Sequence, residues 1–81
     1  MYYCYCFEYS NGEKIIGFRY IRAGISKAID FIYSTADEMI PNYSRFTVKK
    51  HVFAICREEP TSEQLENLYK NRVAGFTKIV L

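Results

Sequence analysis

Tyr2-Tyr3-Cys4-Tyr5-Cys6-Phe7-Glu8-Tyr9-Ser10-Asn11-Gly12-Glu13-Lys14-Ile15-Ile16-Gly17-Phe18-Arg19-Tyr20-Ile21 decides the fold. Aromatic and β-branched residues fill both arms of this stretch, and the Asn-Gly between them tolerates the positive φ angles of a tight hairpin turn. A β-hairpin is therefore expected. A two-residue Asn11-Gly12 turn sets Ser10 opposite Glu13, which places Phe7 opposite Ile16, Tyr5 opposite Phe18 and Tyr3 opposite Tyr20. Side chains alternate between sheet faces. In that register one face collects Tyr3, Tyr5, Phe7, Tyr9, Ile16, Phe18 and Tyr20, and the other Tyr2, Cys4, Cys6, Glu8, Ile15, Gly17, Arg19 and Ile21. Both faces are too apolar to meet only water, so both need cover.

Beyond the hairpin, Ile25, Ala28, Ile29, Ile32, Ala36, Met39 and Ile40 recur at helical spacing, with Lys27, Asp30, Ser34, Asp37 and Glu38 opposite them. Pro41 ends this helix, and Phe31 is a large aromatic on its polar side. Phe46 to Cys56 is rich in β-branched and aromatic residues and reads as a third strand, with Phe46, Val48, Val52, Ala54 and Cys56 inward and Thr47, Lys49 and His51 outward. Thr61-Ser62-Glu63-Gln64 has the spacing of a capping box and introduces a short helix carrying Leu65, Leu68 and Tyr69 on one stripe. Val73 to Leu81 reads as the last strand. The expected fold class is α+β: a single domain over residues 1–81, in the order β-β-α-β-α-β. Because crossovers between parallel strands are right-handed, both helices are expected on one face of a four-stranded sheet, a two-layer sandwich. Its second face would then be bare, and open to a second copy or another partner.

With 81 residues and a formal charge of only +2, the chain has room for one modest core and lacks the strong basic footprint of a general polyanion binder. Cys4, Cys6 and Cys56 cannot all pair, and Cys4 and Cys6 are poorly placed for a mutual bridge along one strand. A reducing, cytoplasmic setting is expected, with no membrane span, no targeting segment and a chain complete as given.

No enzyme is expected. His51 is the single histidine, lies within Lys49-Lys50-His51, and has no nearby residue in sequence to orient it or act as nucleophile. Glu58-Glu59 at a strand end and Asp37-Glu38 on a solvated helix side make no acid/base pair. Cys4, Cys6, Cys56 and His51 count to four zinc ligands, but a Cys-x-Cys on a straight strand lacks the knuckle that wraps a tetrahedral ion, and alternation sends His51 and Cys56 to opposite faces. No metal and no cofactor are expected.

Binding is the remaining class. Gly17-Phe18-Arg19-Tyr20-Ile21 resembles, over five residues, the aromatic strand signature of RNA recognition motifs, which stack sheet aromatics on bases. The chain lacks the rest of that pattern and departs from the family's β-α-β-β-α-β order. Arg19, Arg22, Arg45, Lys49, Lys50, Arg57 and Lys78 make the strands and their flanks mildly basic, which supports RNA or single-stranded DNA binding as the alternative reading. The leading reading is a small non-enzymatic protein-binding module, because tyrosine and arginine dominate interface hot spots. Its expected contact residues are Tyr43 and Arg45 in the long loop, Arg19, Lys49 and His51 on the strands, Phe31 on the first helix, and Tyr2 and Tyr9 at the hairpin edges. Size and composition match small inhibitors and adaptors, including the anti-CRISPR type that phages and mobile elements direct at host nucleoprotein complexes.

Overall fold

The hairpin turn holds three residues rather than two, and this resets the faces of its second strand. The Tyr9 N–H donates to the Glu13 carbonyl at 2.9 Å and the Gly12 N–H to the Tyr9 carbonyl at 3.0 Å. Gly12 closes the loop at φ +93°, a left-handed conformation that glycine adopts without steric penalty. The computed structural model describes residues 1–39 and 48–80. Strand β1 (Tyr2–Tyr9) pairs with β2 (Lys14–Tyr20) so that Tyr3 faces Arg19, Tyr5 faces Gly17 and Phe7 faces Ile15, with Cys4 opposite Phe18 and Cys6 opposite Ile16. The expected pairs are each displaced by one residue, and a one-residue slip turns every side chain of a strand over. Ile16, Phe18 and Tyr20 therefore leave the Tyr5–Phe7 face and join Cys4 and Cys6. Gly17 is accounted for by the new register: a Cβ there would lie 2.8 Å from the Tyr5 hydroxyl, so Tyr5 lies across a residue that has no side chain.

The remaining elements are α1 (Ile25–Met39), β3 (Val48–Cys56), α2 (Ser62–Lys70) and β4 (Lys78–Val80). The order β-β-α-β-α-β and the four-stranded sheet are as expected. The strands lie β2-β1-β3-β4, with β1 antiparallel to both neighbours and β4 parallel to β3. The first face buries Tyr3, Tyr5, Phe7, Tyr9, Val52 and Ile55 beneath Ala28, Ile32 and Ala36 of α1. These three helix positions recur every four residues, and the two alanines let the helix approach closely around Ile32. The second face buries Cys4, Cys6, Phe53, Ala54 and Cys56 beneath Leu65, Leu68 and Tyr69 of α2.

Strand β3 serves both layers through an irregularity. Val52 pairs with Tyr5 and Ala54 with Cys4, which leaves Phe53 as an extra residue. This bulge points Phe53 and Ala54 to the same side and shifts the alternation beyond them. Val48 and Val52 stay on the α1 side as expected, but Ala54 and Cys56 move to the α2 side. His51 and Cys56 consequently share a face, contrary to strict alternation. Among the described residues, no group of three His, Cys, Asp or Glu side chains comes together as a metal site.

The helices cover opposite faces, so the expected two-layer arrangement is corrected to a sheet between one helix on each side. Strands β2, β3 and β4 run parallel, and the two crossovers step in the same direction across the sheet. Two right-handed connections would stack both helices on one side, so helices on opposite sides require connections of opposite hand. The physical reason lies in β1 and β3, whose buried residues on both faces each need apolar cover. Phe46, Tyr43 and Arg45 lie outside the described residues.

The first-face core yields a direct test. Ile32 is 1% exposed at the centre of the helix contact, and Ile32→Ala should cost about 2–5 kcal/mol of unfolding free energy by leaving a cavity. Denaturant unfolding of the variant measures this.

Candidate functional site

Strand β4 is shorter than its apolar sequence predicts. Val73 to Thr77 does not extend it but forms a turn, with the Phe76 N–H donating to the Val73 carbonyl at 3.1 Å and Gly75 at φ +82°. Two side-chain bonds fasten the turn to β3: the Thr77 hydroxyl donates to the Val52 carbonyl at 2.7 Å, and His51 Nε2–H donates to the Phe76 carbonyl at 3.0 Å. Val73 and Phe76, 60% and 71% exposed, are thus apolar side chains presented to solvent on a braced turn.

Between this turn, α2 and β4 runs a groove of about 850 Å³. Its floor is apolar, formed by Phe53, Cys56, Leu68 and Val80, with Val73 and Phe76 on one wall. Arg57, Arg72 and Lys78 line it together with Glu58 and Glu59, leaving the charged rim one positive charge in excess. The volume falls within the range of pockets that take a small molecule or a large side chain, on the order of 300–1,000 Å³.

The helix forming the other wall is fixed at both ends. At its start, Gln64 N–H donates to Thr61 Oγ1 at 3.1 Å and Thr61 N–H to Gln64 Oε1 at 2.9 Å, the capping box expected from the sequence. At its end Tyr69 lies between two cations. Lys14 Nζ donates to the Tyr69 hydroxyl at 2.9 Å, and the Arg72 guanidinium stacks 3.8 Å from the ring centroid. Arg72 also approaches Glu8 at 3.7 Å, and the Cys6 thiol donates to the same Glu8 oxygen at 3.8 Å. The Tyr69 contact raises the Lys14 pKa by stabilising its charged form. Adjoining this cluster is a smaller hollow of about 490 Å³, lined by Glu8, Lys49, Lys50, His51 and Arg72.

The expected contact residues separate accordingly. Lys49 and His51 line the smaller hollow, and His51 also braces the groove wall. Arg19 lies on the opposite sheet face, its guanidinium 5.0 Å from the ring of half-exposed Phe31, so these two form a separate pair beside α1. Tyr2 packs against Tyr20 at 5.0 Å and Phe18 at 6.0 Å on the second face. Tyr9, expected as a contact residue, is instead a core residue, 4% exposed with its hydroxyl donating to the Ala36 carbonyl at 2.7 Å. The second sheet face, expected to be bare, carries α2. Missed by the sequence were Val73, Phe76, Arg72 and Lys14; the Gly75 break inside an apolar run was the available sign for the first two.

No protein-family model matches the chain, and comparison with curated proteins and with solved structures returns no match.

The Cys56 sulfur in the groove floor lies 4.0 Å from that of Cys4, and all three cysteines are free. Burial, and then the neighbouring Cys56, push the Cys4 thiol up to about 12. Burial, and then Glu8, also raise Cys6, and burial raises Tyr5 against the opposing charge of Arg19. Each raised value means the folded chain holds its proton more tightly than the unfolded chain. The associated stability is complete below the ordinary thiol value of about 8.5 and is lost as pH climbs toward the folded value. Urea melts across the alkaline range should show falling stability, with a shallower slope in Cys4→Ala.

Proposed function

We propose that the protein is a non-catalytic protein-binding module that takes a large apolar side chain of its partner into the groove between α2 and β4. The observation that carries this reading is the exposure of Val73 and Phe76 on a turn that two side-chain bonds fasten to β3. A contact surface already held in its bound shape loses little conformational entropy on association. The apolar floor with a charged rim has the anatomy of an interface core, where a few anchors in desolvated pockets carry most of the binding energy. The partner is another protein or a nucleoprotein complex, and the protein acts on it as an inhibitor or adaptor by occupying a surface.

A second reading draws on the smaller hollow, where Lys49, Lys50, His51 and Arg72 gather near exposed Phe76. Cations beside an exposed aromatic are the elements of a site for single-stranded nucleic acid. Glu8 within the same cluster opposes a phosphate.

Phe76→Ala should weaken capture of a protein partner by about 2 kcal/mol or more while leaving the thermal melt nearly unchanged, since the side chain is exposed in the free protein. Affinity capture with wild type and variant, with and without nuclease, measures this. Capture that survives nuclease and falls with Phe76→Ala supports the protein-binding reading. Capture abolished by nuclease, or affinity falling steeply with salt, supports the nucleic-acid reading instead.

A further inference from the structure

We propose that β2 is a self-pairing edge through which two copies of this chain join into a continuous eight-stranded sheet, in antiparallel register centred on Gly17. The groove beside β4 lies at the opposite edge of the sheet and plays no part in this pairing.

The first observation is the direction of the backbone groups. Glu13 and Ile21 exchange hydrogen bonds with β1, through Tyr9 N–H to Glu13 O at 2.9 Å and Ile21 N–H to Met1 O at 3.1 Å. In an antiparallel ladder, residues two apart share the same side, so the odd positions of β2 bond to β1. Lys14, Ile16, Phe18 and Tyr20 therefore point their N–H and C=O groups away from β1. No described strand pairs with that side, because β2 ends the sheet. The stretch Ile15-Ile16-Gly17-Phe18 carries none of the charges, prolines or bulges that protect natural edge strands.

The second observation is self-complementarity. Pairing about Gly17 places Lys14 opposite Tyr20 of the second copy and Ile16 opposite Phe18 of the second copy, each twice by symmetry. All four outward-facing residues then sit in hydrogen-bonded pairs, and all seven residues of β2 are used. Ile16 and Tyr20, 38% and 52% exposed in the single chain, gain an aromatic and a cationic neighbour respectively. On the other face Arg19 comes diagonally within reach of Glu13 of the second copy, so charges of opposite sign meet at both ends. Shifting the register by two residues in either direction keeps the backbone parity but leaves Tyr20 or Lys14 without its opposite residue.

The third observation is the residue at the axis. Gly17 would face Gly17 in a non-hydrogen-bonded pair, the arrangement in which opposing backbones come closest. The Tyr5 ring already occupies the space of a side chain at this position. Two glycines meet there with no β-carbons to separate them.

Light-scattering mass after gel filtration tests the pairing. The wild-type chain should give the mass of two 81-residue chains. Ile16→Pro should give the mass of one, with an unchanged circular dichroism spectrum, because the proline removes an N–H that faces away from β1 and leaves the intramolecular ladder whole. As a second route, Arg19→Glu should drive the dimer apart by facing Glu13 of the second copy, and Glu13→Lys combined with Arg19→Glu should restore it. A wild-type chain that stays single at its highest soluble concentration would overturn the proposal. So would a dimer that persists in folded Ile16→Pro, or an Arg19→Glu variant that dimerises as well as wild type.

Discussion

Strand β1 is a central strand with no free side. Its backbone pairs with β2 along one edge and β3 along the other, and every residue from Tyr3 to Phe7 is buried. Tyr3, Tyr5, Phe7 and Tyr9 project into one layer, and Cys4 and Cys6 into the other. The volumes are unequal. The aromatic side meets a helix stripe of Ala28, Ile32 and Ala36, whereas the small thiols meet Phe53 from β3 and Leu65, Leu68 and Tyr69 from α2. Large residues on one partner face small residues on the other in both layers, as close packing requires. Neither helix could be moved to the opposite side without opening one layer, which is why the connections accept opposite hands.

Several elements were legible in the sequence because each had a local cause. Asn11-Gly12 located the hairpin, the spacing from Ile25 to Met39 located α1, and Thr61 with Gln64 marked the start of α2. The faces were not legible, and each failure has a specific physical origin. The same Asn-Gly serves a two-residue turn or the end of a three-residue loop, and only the inclusion of Ser10 separates them. That single residue decides whether Phe18 lies under α1 or beside α2. The bulge at Phe53 has no proline or glycine to announce it, yet it assigns Ala54 and Cys56 to the other layer. The stripe Leu65, Leu68 and Tyr69 fixes which side of α2 is apolar but carries no information about which side of the sheet it will cover.

The groove illustrates the same division. Its floor follows from ordinary core residues, but its wall exists because Val73 to Thr77 folds into a turn where alternation predicts strand. Gly75 permits the left-handed step, and His51 and Thr77 hold the turn against the part of the β3 edge that lies before its pairing with β4 begins at Ala54. His51 therefore belongs to the site through the backbone it braces. Arg72 links the groove to the hairpin, because it contacts Tyr69 on its own helix end and Glu8 on β1. Changes at Glu8 or Lys14 can alter the groove wall without touching its lining.

The position of β1 also bears on how the chain folds as it is synthesised. The strand that ends in the middle of the sheet leaves the ribosome before either of its partners. Its β2 edge closes after a loop of three residues, but its β3 edge waits for Cys56, the partner of Tyr2. Until then the hairpin has an exposed aromatic face and an open backbone edge, so α1, which lies between β2 and β3 in the chain, is the first element able to shield it. Loop closure across this separation slows the joining of β3 relative to the hairpin. The delay between closing the hairpin and joining β3 therefore sets how long an adhesive half-sheet persists.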